Sequence, residues 1–452
     1  MKKTSVNLTE GNIGKQLMAV ALPILLSNYI QTLYNSADSI ILGRMVGTQA
    51  LAAVTASDDI SNLIINFFVG LSAGAGVLFS RYFGASKHKE LSKAIHVSLL
   101  ASMLLGLVMS VIGFVLAPFF LGVVNCPEDV FADALLYIRV YMVGIFFTSM
   151  YNVLSGVLRA VGDTKTPTKV LIITSLINVG LNIFSVAVLH MGVLGVALAT
   201  IIAQGTSVVI VMRRMLLTDD VYRLQLRELT MDWGILKEIF RLGMPAAIQS
   251  CIICLCNLLV LRYRNSFGSA AMAGSAAGGK LDKVLGLTSQ ALGLSMTTFV
   301  AQNLGARKTD RIRKGVRIGW ITNMAAVVLL GIPMYIFAPQ LVGLFTKDQE
   351  AIGYGVIMMR LMVPLYFLQG TQQVFCNAVR GAGYSLAPML MSLGGMVLVR
   401  QIALHFLMQH NYTYANVYRA FPIGWAAAAV ANVLFFFLVA IPKMRQIEAE
   451  EA

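Results

Sequence analysis

The sequence predicts an all-α polytopic membrane protein, with twelve transmembrane helices in two pseudo-symmetric six-helix bundles around a central cavity. Three observations carry this reading. Of 452 residues, 57% are hydrophobic and only 12% are charged, more apolar surface than a soluble globule of ordinary composition can bury. Twelve apolar runs can be placed, each at least as long as the roughly 20 residues that cross a bilayer as a helix. The two halves of the chain also repeat each other at a fixed spacing.

The first run, 16–43, carries Ser27, Gln31, Asn35 and Asp38 at steps of four, four and three. These steps hold the four side chains on one helical stripe. Eleven further runs follow at 48–80, 94–120, 133–158, 167–190, 192–212, 242–264, 270–301, 317–340, 353–379, 386–408 and 420–442. Basic clusters fill alternate gaps: Arg81 to Lys93, Arg159 to Lys169, Arg213 to Arg227 and Arg307 to Lys314. Such gaps belong on the cytoplasmic side, and an even number of spans places both termini there too, in the cell membrane. The formal charge of +14 is thus used to orient spans, which removes its apparent pointer to nucleic acid. Met1 to Lys15 is polar and the first run lacks a cleavage site, so helix one is expected to stay in the mature chain.

The longest polar segment, 213–241, reads as a cytoplasmic linker between an N-terminal lobe (1–212) and a C-terminal lobe (242–452). FGASKHKELSKA at Phe83 matches LGARKTDRIRKG at Leu304, and LAPFFLG at Leu116 matches FAPQLVG at Phe337. Pro118 pairs with Pro339 (339 − 118 = 221), and Arg139 with Arg360, Arg159 with Arg380, Gly162 with Gly383 and Pro167 with Pro388 share that offset. A six-helix unit duplicated in this way gives two copies of the same orientation, related by an axis along the membrane normal.

A carboxylate inside a span is costly facing lipid, so Asp38 is the leading functional residue. Run five repeats the pattern of run one, with Thr174, Asn178 and Asn182 at steps of four. Asp38, Asn35, Thr174, Asn178 and Asn182 together form the expected ion-coupling group, able to hold a proton or transiently a Na⁺. The plainer reading of the asparagines is interhelical hydrogen bonding. Gln31, Tyr34, Asp58, Asp59, Gln249, Asn257, Asp282, Gln369, Gln373 and Arg400 are expected to line a substrate cavity, and Lys280, Asp282 and Arg400 to form an ion-pair cluster. Asp58 and Asp59 diverge by about 100° on a helix, so only one of them should face inward. Pro23 offers a hinge in helix one. Gly70, Gly74 and Gly76 read as close-packing positions.

Cys126, Cys251, Cys254, Cys256 and Cys376 propose neither a disulfide framework nor a metal site. GSAAGGK at Gly274 has phosphate-loop spacing, but Leu281 stands where a magnesium-binding hydroxyl is needed. No cofactor and no enzymatic activity are expected. The 24 methionines suit an adaptable apolar cavity.

LPILLSNYIQTLYNSADSIILGRMVG, FGASKHK, LRAVGDTKTP and TTFVAQNLGARK resemble the multidrug and toxic compound extrusion (MATE) transporters, including the bacterial DinF and NorM types, along nearly the whole chain. The resemblance implies alternating access and export of organic cations or amphipathic drugs in exchange for H⁺ or Na⁺. It implies that Asp38 is the helix-one carboxylate, that Asn178 is an amide of the ion site, and that Asn182 stands where some proton-linked members carry aspartate. Cys254 and Gln369 fall where some sodium-linked members carry acids. The expected protein is therefore a monomeric secondary antiporter. The alternative is a flippase for lipid-linked or other large amphipathic substrates, and a scaffold or receptor is the rival from another class.

Overall fold

A computed structural model describes residues 6–123 and 126–450, apart from the side chains of Asp58, Asp59 and Ile447. Among the described residues there is no strand, and twelve helices are long and apolar enough to cross a membrane. They are α1 (Ile13–Val46), α2 (Thr48–Gly84), α3 (His88–Val123), α4 (Glu128–Ala160), α5 (Lys165–Val188) and α6 (Gly192–Leu216). The second six are α7 (Trp233–Asn265), α8 (Ser269–Gly305), α9 (Thr309–Ile336), α10 (Gln349–Gly381), α11 (Leu386–His410) and α12 (Tyr414–Glu450). At 37 residues, α2 measures about 55 Å at 1.5 Å per residue. That exceeds a hydrocarbon core of roughly 30 Å, so its ends carry polar residues beyond the apolar window.

The helices are longer than the apolar runs because helix ends continue into charged sequence. α6 extends through Arg213 and Arg214 to Leu216, where cations suit the negative end of the helix dipole. α7 begins at Trp233, and Asp232 Oδ1 accepts from the Ile235 amide at 3.0 Å, satisfying one of the first-turn donors. The hydrogen bond from Lys93 Nζ, 2.6 Å away, holds the Asp232 carboxyl below the usual carboxylate range, with the Ile235 amide adding to it. The polar segment is thereby reduced to 217–232. It is anchored, with Tyr222 and Leu224 buried and the Gln225 amide donating to His96 Nε2 at 3.0 Å.

The chain forms two compact units: Leu26–Ala247 with Val6 and Asn7 (unit 1), and Leu8–Leu25 with residues 248–450 (unit 2). Their internal geometry repeats at the spacing seen in the sequence. α2 and α8 start 221 residues apart (269 − 48), as do α3 and α9, α4 and α10, and α5 and α11. Left-handed backbone recurs at the same offset: Gly47 with Gly268, Ser86 with Arg307, and Gly162 with Gly383. Side chains follow as well. Arg139 lies over the Phe114 ring at 5.2 Å, and Arg360 over Tyr335 at 6.0 Å. Ser149 Oγ donates to the Ser102 carbonyl at 2.9 Å in unit 1, and at the equivalent positions Asn323 Nδ2 donates to the Gly370 carbonyl at 3.0 Å in unit 2. Two sequences with few identities therefore solve the same helix crossing with donors on opposite partners.

Lipid is as apolar as a leucine core, so close packing and hydrogen bonds hold such helices together more than the hydrophobic effect does. In unit 1 a Cβ on Gly74 would lie 2.2 Å from Gly243 Cα, and one on Gly70 would lie 2.5 Å from Ala247 Cα. α2 and α7 thus touch backbone to backbone. Gly76 has open space beside it, so it does not share that packing role. The core of unit 2 is rich in methionine, with Met334, Met358, Met359, Met362 and Met408 all buried.

Candidate functional site

In unit 1 the polar stripes of α1 and α5 meet. Asn182 Nδ2 donates to Asp38 Oδ1 at 2.5 Å and to Asn178 Oδ1 at 3.0 Å. Asn178 Nδ2 in turn reaches Thr200 Oγ1 on α6 at 3.4 Å. Asn178 and Asn182 are buried while Asp38 is half-buried. The orientation of the Asn182 amide is fixed by chemistry, since the reverse would set its carbonyl against a carboxylate. That leaves Asn182 Oδ1 buried without a hydrogen-bond partner. An aspartate costs about 2.5–3.5 kcal/mol at the centre of a membrane helix and less toward its end, where Asp38 lies, and a hydrogen bond to a charged group contributes roughly 1.5–3 kcal/mol. One amide donor thus offsets much of the charge, and a bound proton or cation would neutralise it. The oxygens of Asp38, Asn178, Asn182 and Thr200 are hard donors, the type that such a cation prefers.

Local backbone helps place this chain. α1 ends in a π-helical turn at Leu42–Val46, and α5 ends in another at Phe184–Val188. Both lie within about a turn of the acid and amide, and π-turns redirect side chains at the cost of regular hydrogen bonding.

Not every residue of the expected group joins the chain. Thr174 is buried but pairs with Ser207 on α6 at 3.0 Å, and Asn35 and Gln31 are exposed. Among the described residues no hydrogen bond links Thr174 or Asn35 to Asp38. Tyr34 is half-buried on α1. Pro23 sits inside a helix that continues through it. The side chains of Asp58 and Asp59 lie outside the described residues. Thr200 was not among the expected residues. Its available signal is Ser207, seven residues on, which puts two hydroxyls on one face of α6, and both meet α5.

Unit 2 holds amides and guanidinium groups. Gln249 Oε1 accepts from Arg380 Nη2 at 3.0 Å, and Asn257 Oδ1 accepts from Arg400 Nη1 at 3.0 Å. Gln373 accepts from Asn377 Nδ2 at its backbone and side-chain oxygens, while the buried Gln369 Oε1 has no partner. The expected ion-pair cluster does not form. Among the described residues no ion pair joins Lys280, Asp282 and Arg400. Lys280 lies over the Phe345 ring, Arg400 lies over Phe421, and the Asp282 backbone carbonyl accepts from Tyr366 at 3.3 Å. For Lys280 and Asp282 the reason is helical geometry, since positions i and i+2 point away from each other, and Arg400 is turned to Asn257 and Phe421 instead.

The profile of the MatE family matches the chain twice, over residues 23–184 and 245–405. The chain belongs to the MatE family. Its two matches fall on the two repeats, and members of this family are transporters rather than enzymes. Among relatives, this MatE chain is 28% identical to the probable multidrug resistance protein YoeA of Bacillus subtilis, with 94% of this chain and 93% of the relative covered. It is 25% identical to the probable multidrug resistance protein NorM of Thermotoga maritima, over 84% and 82% of the two chains. An outward-facing multidrug resistance MATE transporter of the MOP superfamily shares its fold, with a TM-score of 0.91 at 20% identity, covering 99% of this chain and 100% of that one. This MatE protein is accordingly a multi-pass membrane transporter.

Proposed function

We propose that this MatE transporter is a secondary antiporter of the cell membrane that exports organic cations or amphipathic drugs in exchange for H⁺ or Na⁺, with both termini cytoplasmic. The observation that carries the reading is the chain from Asp38 through Asn182 and Asn178 to Thr200, with the Asn182 carbonyl oxygen left over in a buried position. The multidrug names of its relatives support the substrate class.

The mechanism follows from competition. Proton or Na⁺ at Asp38 neutralises the carboxylate and removes its demand for the Asn182 donor. Loss of the ion restores that demand and favours a different packing of α1 against α5. Substrate prefers one of these packings and the ion the other, so each drives the other through alternating access. Asn35 and Thr174 flank this group. Gln31, Tyr34, one of Asp58 and Asp59, Gln249, Asn257, Asp282, Gln369, Gln373 and Arg400 supply polar contacts for the substrate, and Pro23 supplies a bend in α1. The transporter acts as a monomer without a cofactor.

Proteoliposomes loaded with a fluorescent organic cation test this, with a proton gradient and a sodium gradient imposed separately. Efflux is expected to follow one gradient by at least tenfold over the gradient-free rate. Equal efflux under both gradients and under none contradicts antiport.

A further inference from the structure

Arg400 is the most anomalous charge in unit 2. It stands in α11, about 21 Å along the helix from Leu386 at 1.5 Å per residue, and only 2% of its surface is exposed. A guanidinium keeps its charge under all physiological conditions. Its Nη1 donates to Asn257 on α7, and its Cζ lies over the Phe421 ring on α12, 5.0 Å from the centroid. Its Nε and Nη2 are buried with no hydrogen-bond partner, and among the described residues no carboxylate pairs with it.

Those two atoms form one edge of the guanidinium. Their N–H bonds run parallel and match the two oxygens of a carboxylate or phosphate. The rest of the side chain is built to hold that edge still. Asn257 ties the opposite side, Phe421 covers a face, and a π-helical turn at Gly394–Val399 immediately before Arg400 sets its direction. Gly424 admits the base of the side chain, since a Cβ there would lie 2.9 Å from Arg400 Cβ. Asn257 is itself exposed, which connects the buried group to the outside of the unit. Helix glue alone would use the Asn257 contact and leave no reason for a fixed charge whose bidentate edge is buried without a hydrogen-bond partner.

We propose that Arg400, oriented by Asn257 and Phe421, is the centre of an anion-binding site within unit 2 that takes the carboxylate or phosphate group of an amphipathic ligand. The site is made of unit 2 residues only and binds without a gradient, so it stands or falls separately from ion coupling at Asp38.

Trp425 reports on it, because its ring lies 6.2 Å from that of Phe421. The full-length protein, carrying Trp233→Phe and Trp320→Phe so that only one of its three tryptophans emits, is placed in phosphatidylcholine nanodiscs. It is then titrated with phenyl phosphate, benzoate and benzylamine. The two anions are expected to change Trp425 emission saturably, and benzylamine is not. Arg400→Gln should weaken anion binding at least tenfold, while Arg400→Lys, which keeps charge without the fork, should recover only part. If Arg400→Gln does not yield a monodisperse protein, Asn257→Ala should still weaken binding severalfold by releasing the tether. A change produced by phosphatidylglycerol in the disc and lost in Arg400→Gln, with none from the soluble anions, supports the site and assigns it to a lipid headgroup. The proposal is overturned if neither soluble anion nor anionic lipid gives an Arg400-dependent change, or if benzylamine binds as well as the anions.

Discussion

Asn182 is the residue on which the proposed coupling chain turns, because it donates both amide hydrogens and its carbonyl oxygen is buried without a partner. Asn182→Leu leaves Asp38 Oδ1 and Asn178 Oδ1 without this donor in a place where an unmet polar group costs about 1–3 kcal/mol. The expected outcome is a tenfold or greater rise in the ion concentration that half-saturates efflux. Asn182→Asp should retain transport and shift its pH dependence. Measured initial rates over a range of ion concentrations separate this from a folding defect, which lowers the maximum rate alone. At this scale the sequence was informative where periodicity helped. Asp38, Asn178 and Asn182 lie on stripes of three- and four-residue steps in otherwise apolar helices, and the structure joins them. Thr200 escaped because a hydroxyl on an apolar helix normally bonds its own backbone, as Thr200 also does with the Val196 carbonyl. Arg400 was legible as a charge, but its partner was not, since only tertiary packing brings Asn257 to it.

At the scale of elements, small residues decide which helices can touch. Gly74→Val places a branched side chain where even a Cβ would overlap the Gly243 backbone, and neither helix can yield without moving the other. Overpacking of this kind typically costs about 1–3 kcal/mol, with backbone clashes at the upper end. The expected result is a lowered thermal midpoint by fluorescence-detected size-exclusion chromatography, whereas Gly76→Ala, beside open space, should leave the midpoint within error. The twelve spans were readable from hydropathy, but their ends were not. Helices run on into Arg213 and Arg214 and begin early at Trp233 because dipole and cap contacts stabilise polar turns that an apolar window ignores. The π-helical turns at Leu42–Val46, Phe184–Val188 and Gly394–Val399 carry no local sequence mark, because an extra residue per turn is tolerated only where neighbouring helices repack around it.

For the whole molecule, the 221-residue repeat governs both backbone and chemistry, and the chemistry has diverged between its copies. Unit 1 concentrates an acid and amides at Asp38, Asn178 and Asn182, while unit 2 carries the Arg400 guanidinium where unit 1 has Val179 (400 − 221 = 179). A duplicated fold that keeps its helix crossings and changes its charges can separate two tasks, with ion coupling in one copy and recognition of the substrate's polar group in the other. The account rests on Asp38 as the coupling group, so the decisive measurement compares wild type and Asp38→Asn in the same proteoliposomes. Two rates are taken: efflux driven by the effective ion gradient, and exchange of labelled for unlabelled substrate with no gradient. The account predicts that Asp38→Asn loses the gradient-driven component and retains substrate exchange, because the amide preserves shape and hydrogen bonding but can no longer gain or lose a charge. Gradient-driven efflux at the wild-type rate in Asp38→Asn contradicts it.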